Sequence, residues 1–174
     1  MSGSVDVLQA GLQTLNTLPA DQAMEELAAC CAAPAWVARM AAGRPYADVE
    51  ELLIASDRVI RELGPDDVAE ALAAHPRIGQ RVAGSSVEAA WSRQEQSGMA
   101  DADTGVRAAL REGNLAYEER FDQVFLIRAA GRPPAEMLAE LRRRLGNDPE
   151  TEQREVAEQL RQITRLRLER SLQP

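Results

Sequence analysis

The chain has 174 residues, 45% of them hydrophobic, enough for one domain that buries roughly 70% of its unfolded surface. Aromatic residues make up only 3% and Ala and Leu dominate, which favours helices over sheets; a net charge of -8 without a basic stripe excludes a nucleic-acid binder. All 20 basic residues are Arg, so Schiff-base chemistry through a lysine is excluded as well.

Pro and Gly punctuate the sequence into helical segments. Val5 to Asn16 forms the first, and Leu18-Pro19-Ala20-Asp21 opens the second, with Asp21 as its cap or first-turn acid. Cys30 and Cys31, flanked by Ala, read as small apolar residues of that helix rather than as a disulfide framework or metal pair, which suits a reducing cytosol. Ala33-Pro34 separates it from a short helix around Trp36 that Gly43-Arg44-Pro45 ends. Val49 to Leu63 follows; Gly64-Pro65-Asp66-Asp67 starts the helix that runs into His75; Gly84-Ser85-Ser86 starts another, through Gln96. Asp101 to Arg120 reads as a long helix. Val124 to Ala130 is a continuous apolar run broken only by Arg128, too short to separate a strand from a buried helix. Pro134 to Leu145, closed by Gly146-Asn147, and Thr151 to Leu172, started near Asp148-Pro149, complete the chain. The expectation is one compact all-α domain of eight or nine helices, with no leader pattern and no run near the ~20 apolar residues of a membrane span.

His75 is the single histidine and so the one side chain that naturally titrates near neutral pH. It stands in Ala74-His75-Pro76-Arg77-Ile78-Gly79. Pro76 disfavours helical geometry at His75 and Gly79 permits a tight turn, which places the imidazole at a helix end, held but open to a ligand. In Trp91-Ser92-Arg93-Gln94-Glu95-Gln96, helical spacing puts Ser92, Glu95 and Gln96 on one face; taken alone, such a segment is more often a solvated face. Val156, Leu160, Ile163 and Arg167 follow spacings of four, three and four, so Arg167 occupies the register of the apolar stripe and Arg165 the far side. A core-facing Arg needs an anionic partner, either a protein carboxylate or a ligand, unless its stem snorkels out at the helix end.

Together these segments resemble the cofactor-independent decarboxylases that convert 2-oxo-4-hydroxy-4-carboxy-5-ureidoimidazoline (OHCU) to (S)-allantoin in urate breakdown. The His-Pro-Arg-Ile-Gly and Ser-x-x-Glu-Gln runs are the most specific matches. Supporting ones are Leu15-Asn16-Thr17-Leu18-Pro19, Cys30 with Trp36-Val37-Ala38-Arg39-Met40, Arg44-Pro45-Tyr46, Asn114 with Tyr117 and Phe121, and Ile163 with Leu166-Arg167-Leu168. The resemblance implies that His75 is the catalytic acid/base and Glu95 its carboxylate partner. It also implies that Pro76, Ser92, Gln96 and Arg167 bind substrate, and that Leu126, Ile127, Arg128, Ala129 and Ala130 contribute mainly backbone groups. The family usually carries Phe-Gly before this last run, whereas here Phe121 is followed by Asp122-Gln123.

The implied chemistry needs no cofactor, because the substrate ring carries a carbon-nitrogen double bond next to the carboxylated carbon and can take up the electrons that carbon dioxide leaves behind. No metal ligand cluster or Gly-rich phosphate loop is expected. The implied partners are the small-molecule substrate and a second copy of the chain, with no nucleic acid and no membrane, in the cytoplasm. Two other readings stay open on the residues alone: a non-catalytic helical interaction module, and a cofactor-free lyase acting on another ureido or imide compound.

Overall fold

The computed structural model describes residues 2–174, and every regular element among them is helical, as the composition predicts. The elements are α1 (Ser2–Thr17), α2 (Ala20–Cys30), α3 (Pro34–Ala42), α4 (Val49–Glu62), α5 (Pro65–Ala73), α6 (Val87–Glu95), a 3-10 turn (Ser97–Asp101), α7 (Thr104–Phe121), α8 (Pro134–Arg144) and α9 (Pro149–Ser171).

Side-chain caps set several boundaries. Asp48 accepts from the Glu51 N–H at 2.8 Å to start α4, Ser86 accepts from Ala89 N–H at 3.1 Å to start α6, and Asp103 accepts from Val106 N–H at 2.8 Å to start α7. The last of these corrects the long helix expected from Asp101: Asp103 takes the cap, and Asp101 closes the preceding 3-10 turn. Pro19 occupies the cap of α2, leaving Asp21 as a first-turn acid, and Cys31 lies just past the helix on extended backbone. The apolar run from Val124 is neither strand nor helix through residue 129, yet Phe125, Leu126, Ile127 and Ala129 are buried. Side chains serve its backbone instead: Arg144 Nη1 donates to Leu126 O at 2.7 Å, and Arg128 N–H donates to Gln159 Oε1 at 2.9 Å.

The residues group into two compact units. The first runs to Ala71 and takes up Arg161–Pro174. In it α3 packs on α2 and α4, with Trp36 fully buried and its indole N–H donating to Ser56 Oγ at 3.2 Å. Arg44 donates to the carbonyls of Leu15 (2.6 Å) and Leu18 (2.9 Å), satisfying the C-terminal end of α1. The backbone of α1 meets that of Leu172 so closely at Gly11 that a Cβ there falls 2.0 Å from the Leu172 carbonyl oxygen. Burial pushes the Cys30 thiol up to about 12 and raises Cys31 as well, so both remain protonated, inert core groups.

The second unit, Leu72–Leu160, packs α7 against α8 around Ile78, Leu110, Tyr117, Phe125, Ile127 and Leu141. Within this apolar core sits an ion pair, Arg144 with Glu152, at 2.6 Å, each side chain 1% exposed. Tyr117 Oη donates to the same carboxylate at 2.5 Å, and the Arg144 guanidinium lies 4.6 Å over the Phe125 ring. Half-buried Trp91 stands on α6 of this unit.

Candidate active site

The helix carrying His75 stops where the sequence requires it to. α5 ends at Ala73, and the His75 N–H donates back to Leu72 O at 2.9 Å to close the final turn. Pro76 then directs the chain away, and Gly79 takes φ +83°, a left-handed value that favours glycine. The imidazole is half-buried, as is Pro76.

The loop from His75 to Gln80 is anchored on three sides. Ile78 is buried as an apolar plug, and its carbonyl accepts from Asn114 Nδ2 of α7 at 3.0 Å. The Arg77 guanidinium pairs with Glu118 through contacts of 2.5 and 2.8 Å, whose hydrogen bonds hold that carboxyl below the usual range. Gln96, at the end of α6, accepts from the Gly79 N–H at 2.9 Å and donates to Arg77 O at 3.4 Å. The Gln96 amide thus bridges two backbone groups of the loop, with one N–H and one lone pair to spare.

A cavity of about 460 Å³ opens beside this loop, and His75, Pro76 and Ser92 line it together with Gln80, Arg81 and Glu88. Ser92 is 4% exposed and Glu95, one turn on along α6, is 9% exposed. The solvated-face reading therefore fails for these two, while Gln96 is half-buried. The structure brings His75, Pro76 and Ser92 into one cavity, with Glu95 sharing the buried face of Ser92. Leu126, Ile127 and Ala129 are buried, Arg128 and Ala130 partly so, and none of the five belongs to the lining of this cavity. Arg167 belongs to the first unit, at 4% exposure, so its guanidinium does not snorkel to solvent. Arg165, as its register requires, is more exposed and pairs with Asp57 at 2.8 Å.

Asn114 is the positioning residue whose role the sequence left unassigned. It is 4% exposed and follows Leu110 and precedes Tyr117 at spacings of four and three, so it is a polar group in an apolar register, the signal that singled out Arg167.

The class of protein is thereby defined: an all-α chain that holds its one histidine at a helix end, on an anchored loop, over a cavity shared with a buried hydroxyl. Comparison with known proteins gives the particular family. The model of the OHCU decarboxylase family matches residues 16–169, and the chain belongs to that family. It is similar to the 2-oxo-4-hydroxy-4-carboxy-5-ureidoimidazoline decarboxylase of Amia calva, at 31% identity over 80% of this chain and 81% of that one. It is also similar to a uric acid degradation bifunctional protein of Arabidopsis thaliana, at 30% identity over 83% of this chain, and spans 45% of that longer protein's length. A crystal structure of an OHCU decarboxylase in the presence of (S)-allantoin superposes with a TM-score of 0.72 at 29% identity, covering 83% of this chain and 94% of that one.

Proposed function

We propose that this protein decarboxylates OHCU to (S)-allantoin without a cofactor, with His75 as acid/base and Glu95 as the carboxylate that orients it. The observation that carries this reading is the coincidence of a family match over residues 16–169 with a cavity lined by His75, Pro76 and Ser92. In the reaction the bond from the ring carbon to its carboxylate breaks and carbon dioxide departs; the electron pair forms a double bond to the neighbouring carbon, whose carbon-nitrogen π pair passes to the ring nitrogen, and that nitrogen takes up a proton from solvent. An enol results; its hydroxyl loses a proton and the neighbouring carbon gains one on a single face. His75 manages both protons, a contribution typically of ~10² to 10⁴ in rate. Glu95 fixes the imidazole tautomer.

Pro76 and Ser92 contact the ring, and Gln96 offers its remaining donor and acceptor to an amide edge. Leu126, Ile127, Arg128, Ala129 and Ala130 supply backbone groups. Arg167 binds an electronegative part of the ring or ureido group, since gripping the departing carboxylate in the ground state would slow its loss. The working form is a cytoplasmic homodimer.

Circular dichroism during urate oxidation tests the reading. With the wild-type protein one enantiomer of allantoin accumulates rapidly; with folded His75→Asn the product follows the slow, racemic spontaneous course. A folded His75→Asn protein that keeps most of the wild-type rate removes His75 from the chemistry, and a wild-type protein that produces no optical signal removes the activity itself.

A further inference from the structure

Beside the loop of residues 77–82 lies a second hollow, of about 580 Å³, bounded by Arg77, Arg81, Arg107, Arg111 and Asn114. It adjoins a third, of about 470 Å³, which Arg81 and Arg107 also line, with Arg93. Neither lining contains an acidic residue, in a chain where 28 acidic side chains outnumber 20 basic ones. Random placement of charges on such a surface would scatter carboxylates among these guanidiniums.

Most of this positive charge is not neutralised within the protein. Arg77 is compensated by Glu118. Arg107, by contrast, donates only to backbone carbonyls, those of Met99 (2.5 Å), Ala102 (3.1 Å) and Ala100 (3.2 Å), which fix its position and leave its full charge. Arg81 and Arg111 make no hydrogen bond or ion pair with any described residue, and both are exposed. Two exposed, unpartnered guanidiniums beside one held by backbone carbonyls form a fork for an oxyanion with at least two charged oxygens. Asn114 adds a neutral element: its Oδ1 has no hydrogen-bond partner among the described residues, and a hydroxyl beside the charges of a ligand suits that acceptor.

We propose that this hollow, which meets the His75 cavity at Gln80 and Arg81 but does not include His75, is a second ligand site that takes a small doubly charged oxyanion bearing a hydroxyl group. The volume admits a hydroxydicarboxylate with room for water. Hydrogen phosphate presents the same chemistry, two charges and one O–H, from a different source. The site does not depend on the decarboxylase reading, because binding is measurable with no substrate present.

Isothermal titration of the full chain at low, constant ionic strength tests it with three probes: L-malate, succinate, which lacks only the hydroxyl, and inorganic phosphate. Malate is expected to bind about fivefold tighter than succinate, the difference of one neutral hydrogen bond. Charge reversal at Arg111→Glu or Arg81→Glu, each at an exposed, unpartnered side chain with the melting temperature as a check on folding, is expected to weaken binding at least about tenfold. His75→Asn is expected to leave it unchanged. Phosphate binding in place of malate, with the same sensitivity to Arg111→Glu, keeps the site and identifies the source as phosphate; equal affinity for malate and succinate overturns the role of Asn114. Absence of binding by every probe, binding indifferent to both charge reversals, or binding lost in His75→Asn overturns the proposal.

Discussion

Asp122 shows how one residue can hold a backbone path that its chemistry does not favour. It ends α7 at φ 53° and ψ 36°, in the left-handed region that favours glycine, and its N–H donates to Glu118 O at 2.9 Å to complete the cap. Asp is among the few residues with a side chain that tolerate this region, so the chain turns into the run from Val124 as it would with Gly. Asp122→Gly should therefore stabilise the protein by up to ~1 kcal/mol, and Asp122→Val should destabilise it by more than that, both read from urea unfolding midpoints. Arg167 poses the opposite question, a residue whose chemistry is costly where it sits. If it binds substrate, Arg167→Leu should raise KM while the protein folds normally; a variant that loses stability but binds substrate normally in its folded fraction assigns the charge a structural role.

At the scale of elements, the ion pair that joins α8 to α9 dominates. Arg144→Met leaves the Glu152 carboxylate buried without its cation and removes the donor to Leu126 O, and should cost ~3 to 5 kcal/mol in urea unfolding. The double variant Arg144→Met with Glu152→Met should recover much of that loss, because the uncompensated charge goes too. The helices themselves were legible in the sequence because Pro, Gly and capping Asp and Ser residues punctuate an Ala- and Leu-rich chain at nearly every boundary. So was the placement of His75, which rests on the local stereochemistry of His-Pro and Gly79. The ion pair was hidden in a run of three arginines that reads as a solvated helix end. Only the register of Met137, Leu141 and Arg144, at spacings of four and three, separates the inward one from its neighbours. The path after Asp122 was not legible at all, since side chains from α8 and α9, distant in sequence, satisfy its backbone in place of a strand partner.

Across the whole molecule, α5 and α9 are each continuous helices whose residues are divided between the two units, at Ala71 and at Leu160. Unfolding one unit alone would have to break α9 in mid-run, and the last turn of α5, and expose their unpaired backbone groups, so the units are expected to melt together. The chain carries its own means of watching this, for its two tryptophans are divided between the units, Trp36 in the first and Trp91 in the second. Trp91→Phe leaves a fluorophore that senses only the first core, and Trp36→Phe one that senses only the second. In each variant the fluorescence transition should coincide with that of far-UV circular dichroism; a dichroism curve that splits into two steps, only one of which each tryptophan follows, would mean that the units melt independently. Trp91 also immediately precedes Ser92, which lines the His75 cavity, so in Trp36→Phe the emission that follows unfolding comes from the one tryptophan that neighbours a wall residue of that cavity in sequence, free of background from the other core.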